Sequence, residues 1–549
     1  MLLNNCIFAK KMIMRNCRHI VKMFLLLVAA FAATGLRAQY VGIAQISILG
    51  KASAVGEMPV TALDGSDGNY YIYQENSGKA DRHRIADAVE VIQKECCHSV
   101  SFSVRRPGDH RFVHFYEGAD TLYAVYAHAD AAAGTFSLYL NRMPKNAYKV
   151  DEVVWNPQRI LSVDNEKPDN CQAVAAISPD GHTLALTVVA ANGDFSVLNT
   201  PFITLGDKGK ILWQQKIRND RTNRTFQLGD MVVDNDGTVF AGMVAYRNKT
   251  SRNRDDETFQ LHRLSDKHST LASQPIEFGY LCDARMRILG NGSVAVGGYY
   301  TYNLKNRPQR SYMMVFEPDS AAAKAISFQP LPDKYYERET SMAKIRPGWM
   351  TVEATGLYEF GDGTLALLGE QRRLLESSTM SNSNSGNSTT HHYYHCGDIL
   401  VHFANPDGVL DTTTLIHKYQ VRGPFLEELP MKRLRCLGYS HTAFLQNDTL
   451  QIFFADELDN YTGKSGVPTK EFNQKVCLAA SIVTSNRQVS RPAVVSDPNK
   501  RDGRVISQLL FMDESNIIAT CVWRRDLEYL RLENYTGGKT WQMNVIYDM

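Results

Sequence analysis

The sequence lacks an excess of charge of either sign. Its 549 residues contain 60 lysines and arginines against 58 aspartates and glutamates, so the formal net charge is +2. Because a protein that binds polyanions normally carries a clear basic surplus, this balance argues against a nucleic-acid partner. With 44% hydrophobic and 10% aromatic residues, the composition is that of a globular chain with a substantial core.

Long apolar segments are also missing beyond the N-terminal region. The apolar run at residues 23–33 is about half the ~20 residues that a membrane-spanning helix needs. It follows a basic stretch at 10–22 and precedes Leu-Arg-Ala at 36–38. This order predicts a signal peptide over 1–38, with an uncleaved anchor as the alternative. We therefore expect an extracytoplasmic mature protein, in the periplasm, at the cell surface or secreted, with no transmembrane segment after cleavage.

Motifs of catalysis and cofactor binding are absent from the chain. It contains no GxSxG nucleophile elbow, no HExxH zinc motif and no GxxxxGK[ST] phosphate loop. Its ten cysteines show no CxxC spacing, and two of them lie in the predicted signal peptide. We therefore expect no cofactor, and the sequence favours a protein that is not an enzyme.

What the sequence does contain is a repeated hairpin pattern. Each copy has a short strand, a tight turn of Asp, Asn or Gly, a Thr or similar residue, and a second, mostly hydrophobic strand. Asp-Gly and Asn-Gly tolerate the positive φ values that tight hairpins require. The seven copies are marked by Thr121, Thr183, Thr238, Ser293, Thr364, Thr449 and Asn516, at intervals of 62, 55, 55, 71, 85 and 67 residues.

This spacing predicts one four-stranded sheet per repeat. A third strand follows each hairpin, as in SYMMVFEP and DILVHFANP, and a fourth often follows, as in GKILWQQKI. Stacked β-sandwiches are the alternative, but they would not place the same hairpin once per repeat seven times over. Helical periodicity is nearly confined to residues 84–95, so the sequence predicts an all-β fold.

With this repeat the chain resembles the β-propeller superfamily over roughly residues 99–548, and more narrowly it is similar to exported bacterial propellers with degenerate blades. The resemblance implies a ring of seven four-stranded blades, with six or eight left open. On this interpretation 99–549 is the propeller. Residues 39–98 form an N-terminal segment that supplies a ring-closing strand, a partial extra blade or a small cap.

The predicted binding face is the one where second-to-third and fourth-to-first strand connections emerge, because rigid scaffolds place binding residues on such loops. In four middle blades the second-to-third connections are long. Their tyrosines supply stacking surface, and their arginines supply forked donors for carboxylates or sugar hydroxyls. Solvated insertions without a ligand are the alternative. The predicted ligand-binding residues are Tyr246, Arg247, Arg254, Tyr300, Tyr302, Arg310, Arg372, His392, Tyr394, Asp456 and Tyr461.

A histidine-rich segment, HHYYHCGD at 391–398, holds residue types that bind metals. However, HHxxHC matches no established ligand spacing. A strand also directs successive side chains to opposite faces, so His391, His395 and Asp398 would not converge without a turn. We expect a polar, aromatic strand here and no metal.

Three classes of function remain open. The first is an exported non-enzymatic binding propeller that presents a loop-rich face to a glycan, a peptide or an envelope protein. The second is a carbohydrate-active or other hydrolytic propeller, with carboxylates from different blades. The third is a structural subunit of a cell-envelope assembly. The sequence does not define the oligomeric state. Candidate carboxylates for the second class are Asp255, Asp256, Asp456, Glu457 and Asp459.

Overall fold

The computed structural model describes residues 46–51, 57–76, 85–93, 99–149, 152–190, 199–218, 225–250, 253–277, 279–304, 308–333, 351–380, 388–425, 439–446, 448–462, 476–496, 505–512, 516–523 and 526–533. Within these residues the regular structure is almost all β-strand. The exceptions are a one-turn α-helix at Asp459–Thr462 and 3-10 turns at Ala147–Lys149 and Pro168–Asn170. None of the helices described in these ranges is long and apolar enough to cross a membrane.

The strands form eight sheets of four or five strands, which we number as blades 1 to 8. The first half of the chain supplies β1 (Ile46–Lys51) and blades 1 to 4. Blade 1 contains β2 (Glu57–Asp64), β3 (Asn69–Asn76), β4 (Ile85–Gln93) and β5 (Ser99–Arg106). Blade 2 contains β6 (His110–Glu117), β7 (Thr121–Asp130), β8 (Thr135–Pro144) and β10 (Gln158–Asp164), while β9 (Glu152–Val153) pairs with β5 of blade 1. Blade 3 contains β11 (Cys171–Ile177), β12 (Leu184–Ala190), β13 (Asn199–Leu205) and β14 (Ile211–Arg218). Blade 4 contains β15 (Thr225–Val233), β16 (Val239–Thr250), β17 (Asn253–Leu264) and β18 (Ser269–Pro275).

The second half of the chain supplies blades 5 to 8. Blade 5 contains β19 (Tyr280–Leu281), β20 (Arg285–Ile288), β21 (Val294–Thr301), β22 (Arg310–Phe316) and β23 (Ala325–Pro330). Blade 6 contains β24 (Thr351–Glu359), β25 (Leu365–Met380), β26 (Ser388–Ala404), β27 (Leu410–Ile416) and β28 (Gln420–Phe425). Blade 7 contains β29 (Thr442–Gln446), β30 (Thr449–Glu457), β31 (Val476–Thr484) and β32 (Ala493–Ser496). Blade 8 contains β33 (Val505–Met512), β34 (Asn516–Trp523) and β35 (Asp526–Glu533), with β1 as its outer strand.

The blades follow one another around a closed ring. The first strand of one blade lies against the first strand of the next, as β2 with β6, β6 with β11, β11 with β15 and β15 with β20. β20 then contacts β24, and blades 6 and 7 share a core that includes Leu368, Val401 and Phe454. β33 contacts β31 on one side and β2 on the other, so blade 8 lies between blades 7 and 1. The prediction of an all-β propeller is confirmed. The described residues form eight blades, where the sequence favoured seven and left six or eight open.

The seven predicted hairpins each form the first and second strands of a separate blade, from β6–β7 to β33–β34. The additional blade is blade 1, whose strands β2 to β4 lie N-terminal to the first of those hairpins. β1 pairs antiparallel with β35, with Ile46 opposite Leu532 and Lys51 opposite Glu528. The first and last of the described strands therefore meet in blade 8.

The hairpin turns of blades 3 to 6 each contain a glycine with the positive φ that the sequence predicted. In blade 4, Gly237 has a φ of +85°, a value that glycine adopts with little strain. Its N–H donates to the Asp234 carbonyl at 3.0 Å, and the Asp236 carboxylate accepts the Thr238 N–H at 2.7 Å. The strand that follows such a turn is deeply buried, since neighbouring blades cover both of its faces; all eight residues of β21 are buried.

Candidate functional site

Two kinds of connection open on one face of the ring, which we call the site face. They are the connections from the second to the third strand of a blade and those from the fourth strand to the next blade. The eleven predicted ligand-binding residues lie in the second-to-third connections of blades 4 to 7 or in the strand segments that lead into them. Since these connections leave the sheets at the same end, the fold gathers them on the site face.

In blades 4 and 6 these connections are extended β-ribbons rather than the loops that the sequence suggested. β16 and β17 stay paired as far as Thr250 opposite Asn253, and β25 and β26 as far as Met380 opposite Ser388. The pairing is supported by cross-strand contacts between β-forming residues such as Leu375 and Tyr393, which are directly opposite each other. The predicted residues of these two blades therefore lie within strands.

A tyrosine–arginine pair lies at the site face in blade 4. The guanidinium carbon of Arg254 is 4.1 Å from the centre of the buried Tyr246 ring. Arg254 also donates to the Glu257 carboxylate at 3.4 Å, which fixes its position. Beside this pair, the exposed Arg247 forms a loose ion pair with Asp256 at 3.5 Å.

Blade 5 has a second pair, and its tyrosine is exposed. Arg310 lies over the Tyr302 ring at 5.2 Å, and 48% of Tyr302 is accessible to solvent. The edge of Tyr302 contacts Tyr300, with the ring centres 5.4 Å apart. Tyr300 itself is buried, and its hydroxyl donates to the Glu277 carbonyl at 3.0 Å. Tyr302 and Arg310 thus form a preformed aromatic and cationic surface.

The predicted residues of blades 6 and 7 are more deeply buried. Arg372, Tyr394 and Asp456 are all buried, while His392 and Tyr461 keep partial exposure. The Nδ1 atom of His392 is 3.6 Å from the Glu376 carboxylate. Buried side chains cannot touch a ligand at the surface, so Arg372, Tyr394 and Asp456 contribute to the site face through packing and hydrogen bonds.

Arg372 belongs to a buried polar network between blades 6 and 7, centred on Glu370. The Glu370 carboxylate contacts Lys418 Nζ at 2.7 Å and Arg372 Nε at 2.8 Å, and it accepts the Ser440 hydroxyl at 2.5 Å. His441 Nδ1 lies 3.2 Å away. Burial alone would raise the pKa of the Glu370 carboxyl, but the charges of Lys418 and Arg372 outweigh it and hold the pKa well below its ordinary range. Glu370 is therefore a buried carboxylate, fully ionised at neutral pH.

Three other carboxyl groups have raised pKa values because they are buried. Burial raises the pKa of Glu257, Asp283 and Asp456 to about 6 in each case. All of them accept backbone N–H groups: Glu257 from Leu281 at 2.7 Å, and Asp283 from Tyr299 at 2.8 Å. The other Asp283 oxygen accepts the Ala354 N–H of the next blade. Asp456 accepts the Tyr461 hydroxyl at 2.6 Å and the Tyr419 N–H at 3.1 Å.

A cluster that the sequence did not predict lies at the site face between blades 1 and 2, formed by Asp109, His110 and His128. One Asp109 oxygen is 2.8 Å from His110 Nδ1, and the other is 3.0 Å from His128 Nε2. The two imidazole rings are stacked, with centres 4.6 Å apart and planes 11° from parallel. Burial lowers the pKa of His110, while its hydrogen bond to Asp109 acts in the opposite direction. The ligand atoms of all three residues lie within 4.8 Å of one another.

Aromatic residues surround this cluster on its protein side. The centre of the Tyr139 ring is 5.1 Å from that of His110, and the centre of the Trp155 ring is 5.4 Å from it. Below them, Arg106 forms an ion pair with the fully buried Asp87 at 2.6 Å. Arg106 also donates to the His110 carbonyl. These contacts fix the backbone that carries His110.

The histidine-rich segment lies on β26, where its residues follow the strand without a turn. His395 and Cys396 are buried, and Asp398, also buried, is 3.0 Å from His417 Nδ1. Among the described residues, His391, His395 and Asp398 do not belong to a group of three metal-ligand atoms within 4.8 Å.

No protein-family model matches the chain, and no curated protein matches it. Among solved structures, the AfRom2 CNH domain aligns with 89% of this chain and 99% of its own at 8% identity, with a TM-score of 0.35. Drosophila Plexin A in complex with Semaphorin 1b aligns with 89% of this chain and 88% of its own at 9% identity, with a TM-score of 0.28. The β-propeller domain of the Trilobed protease from Pyrococcus furiosus aligns with 67% of this chain and 94% of its own at 6% identity, with a TM-score of 0.29. The fold assignment therefore rests on the closed ring of sheets in this chain.

Proposed function

We propose that this protein is an exported, non-enzymatic binding propeller whose site face binds a glycan, a peptide or an envelope protein. The observation that supports this proposal is the pair formed by the exposed Tyr302 and Arg310 in blade 5. A similar pair, Tyr246 and Arg254, lies in the adjoining blade 4. Export is proposed from the N-terminal sequence pattern, which lies outside the described residues.

The chemistry of the exposed Tyr302–Arg310 pair favours a ligand that carries a carboxylate next to an apolar ring or chain. An arginine held against a tyrosine keeps several N–H groups directed outward, and its planar fork fits a carboxylate. The tyrosine ring offers a flat surface on which a sugar ring or an aromatic side chain packs. Because Tyr300 and the Tyr302 ring already support each other, little side-chain entropy is lost on binding.

Binding should be tested with the chain lacking residues 1–38, on an array of neutral and acidic glycans and on a panel of acidic peptides. We expect Tyr302→Ala and Arg310→Ala each to weaken the strongest interaction by about tenfold or more, as for central interface residues. The matched control is Arg263→Ala. This arginine lies over the Phe240 ring at 5.9 Å, near the opposite face of the propeller. Equal binding by the wild type and both site-face variants would refute the proposal.

A hydrolytic propeller is the second candidate, and the raised pKa values of Glu257 and Asp283 favour it. A carboxyl group with a pKa near 6 is suited to act as a general acid. Against this role, both oxygens of Asp283 already accept backbone N–H groups. If Asp283→Asn abolished turnover of an array-positive glycan and left its binding intact, the hydrolytic function would replace the non-enzymatic one.

A further inference from the structure

We infer that Asp109, His110 and His128 form a binding site for a divalent transition metal, with two imidazoles and one carboxylate as protein ligands. The site lies between blades 1 and 2, away from the tyrosine–arginine pairs of blades 4 and 5, and it does not depend on the binding function proposed above.

The residue types select the class of metal. Imidazole nitrogens suit Zn²⁺, Fe²⁺, Co²⁺ and Cu²⁺, whereas Ca²⁺ and Mg²⁺ prefer sites built from oxygen alone. Two histidines and one carboxylate, with further positions left to water or substrate, are a common protein ligand set for Zn²⁺ and Fe²⁺. The carboxylate side chain of Asp109 is 62% exposed, so solvent reaches the remaining positions.

The backbone brings the two histidines together on one face of blade 2. His110 is the first residue of β6, and it lies directly opposite His128 of β7 in the antiparallel pair. Side chains of directly opposed residues point to the same face of a sheet with Cβ atoms about 5 Å apart, and this spacing allows the rings to stack. A backbone turn from Pro107, whose carbonyl accepts the His110 N–H at 3.2 Å, places Asp109 beside both rings.

The distances are close to those of a metal site. Ligands bound at about 2.1 Å in tetrahedral geometry lie about 3.4 Å from each other. The two Asp109 oxygens are 2.8 Å and 3.0 Å from the histidine nitrogens, so a small outward shift makes room for an ion. In the bound form His110 would coordinate through Nδ1 and His128 through Nε2.

The surrounding charges are compatible with a cation. Arg106 is the positive side chain that contacts this backbone, and its guanidinium forms hydrogen bonds with Asp87 at 2.6 Å and 3.2 Å. That pairing offsets the positive charge below the cluster. The Asp109 carboxylate then supplies one negative charge to the ion, and its two hydrogen bonds hold it beside both rings.

The test is calorimetric titration of the chain without residues 1–38 and without a polyhistidine tag, using ZnCl₂ alone. We expect one site, weakened by about tenfold or more in His110→Ala and in His128→Ala, since loss of even an outer-shell partner commonly weakens metal binding to that extent. The matched control is His268→Ala, which removes an exposed histidine from a turn of blade 4. Unchanged Zn²⁺ affinity in the double variant His110→Ala/His128→Ala, or no binding at millimolar Zn²⁺, would overturn the assignment.

A second measurement keeps the test valid if a variant unfolds. Co²⁺ quenches the fluorescence of nearby tryptophans, and Trp155 lies against His110. We expect Co²⁺ to quench part of the emission of the wild type, an effect that excess Zn²⁺ reverses and that Trp155→Phe removes. Quenching that persists undiminished in Trp155→Phe would place the ion elsewhere and contradict the proposed site.

Discussion

The buried carboxylate at the centre of the blade 6–blade 7 network makes a sharp prediction about stability. Glu370 and Lys418 are both fully buried, and they are 2.7 Å apart. In Glu370→Gln the ammonium group of Lys418 keeps only a neutral partner, the Gln420 side-chain oxygen at 3.0 Å. Arg372 still has Glu353 at 2.6 Å. Leaving one buried charge without its partner costs about 3–5 kcal/mol, so we expect a loss of that size.

The reverse change should cost less. In Lys418→Met the Glu370 carboxylate still contacts Arg372, Ser440 and His441, so its charge remains compensated. We expect a loss of about 1–3 kcal/mol from the missing charged hydrogen bond. In the double variant no unpaired ammonium remains, so its loss should be smaller than the sum of the single losses by about 1 kcal/mol or more.

The assay is urea denaturation at pH 7, measured by circular dichroism and read as a shift of the midpoint at constant slope. Asp407→Asn is the control, because it breaks the exposed Lys324–Asp407 pair of 3.0 Å and should leave the midpoint unchanged. The folded pKa of Glu370 is depressed, so its contribution is present above the unfolded value near 4.5 and is lost as the pH falls below it. The wild-type and Glu370→Gln midpoints should therefore converge in acid. A Glu370→Gln loss below about 1 kcal/mol, or additive single losses, would refute this reasoning.

Three further predictions concern other parts of the ring. Gly369→Ala would place a Cβ atom 1.7 Å from the Tyr299 hydroxyl of the preceding blade, so we expect urea denaturation to show a free energy of unfolding lower by about 1–3 kcal/mol. Gly290→Ala is the control and should be nearly neutral, because the nearest atom to its new Cβ would be 3.8 Å away. Burial lowers the pKa of His402 to about 3, so below about pH 6.5 the unfolded chain binds a proton here that the folded chain does not. As the pH is lowered, the free energy of unfolding should therefore decrease less steeply in His402→Gln than in the wild type. Equal slopes would contradict this. Removal of residues up to 51 deletes β1 and leaves β35 as an exposed edge strand that is paired only with β34. This change should lower the melting temperature and promote association seen by light scattering. An unchanged melting temperature would show that the pairing does not close the ring.

Blade 1 is not among the predicted repeats because one of its turn residues differs from those of the other copies. In blade 1 the turn has the same geometry as in blades 3 to 6: Gly68 has a φ of +82°, and Asp67 accepts the N–H of Asn69 at 3.3 Å. Asn69, however, stands where most copies have Thr or Ser. The tyrosine-rich strand after it, β3, lies in the N-terminal segment 39–98, for which the sequence left open a ring-closing strand, a partial extra blade or a small cap. The seven hairpins with a clearer Asp or Asn turn were predictable because local backbone chemistry defines them.

The histidine cluster could not be predicted because it depends on a register shift. If the β6–β7 pairing continued without interruption from Glu117 opposite Leu122, His110 would lie opposite Ala129. His128 would then point to the face of the sheet opposite to that of His110. An irregularity between Phe112 and His114 shifts the pairing by one residue and places His110 opposite His128. Nothing in the residue types of β6 indicates where this bulge occurs.

The burial of Arg372 has a similar explanation. Arginine in a long connection was expected at the surface, where most arginines are found. Blade 6 instead extends its second and third strands as a ribbon, and β28 pairs with β26 at its base, with Gln420 opposite Cys396. Arg372 is opposite Cys396 on the other side of β26, so the added strand encloses it. The pairing of β28 is a tertiary contact, and a local sequence pattern does not reveal it.

The pairing of β1 with β35 also sets an order of events in time. Blades 1 to 7 are each assembled from strands close in sequence, so they can form one after another as the chain is synthesised. Ile46 must wait until Leu532 has been made before it finds its partner. Throughout that interval β1 is an unpaired edge, open to association with any other exposed strand. Blade 8 is therefore completed only after β35 has been synthesised, by a strand made about 480 residues earlier.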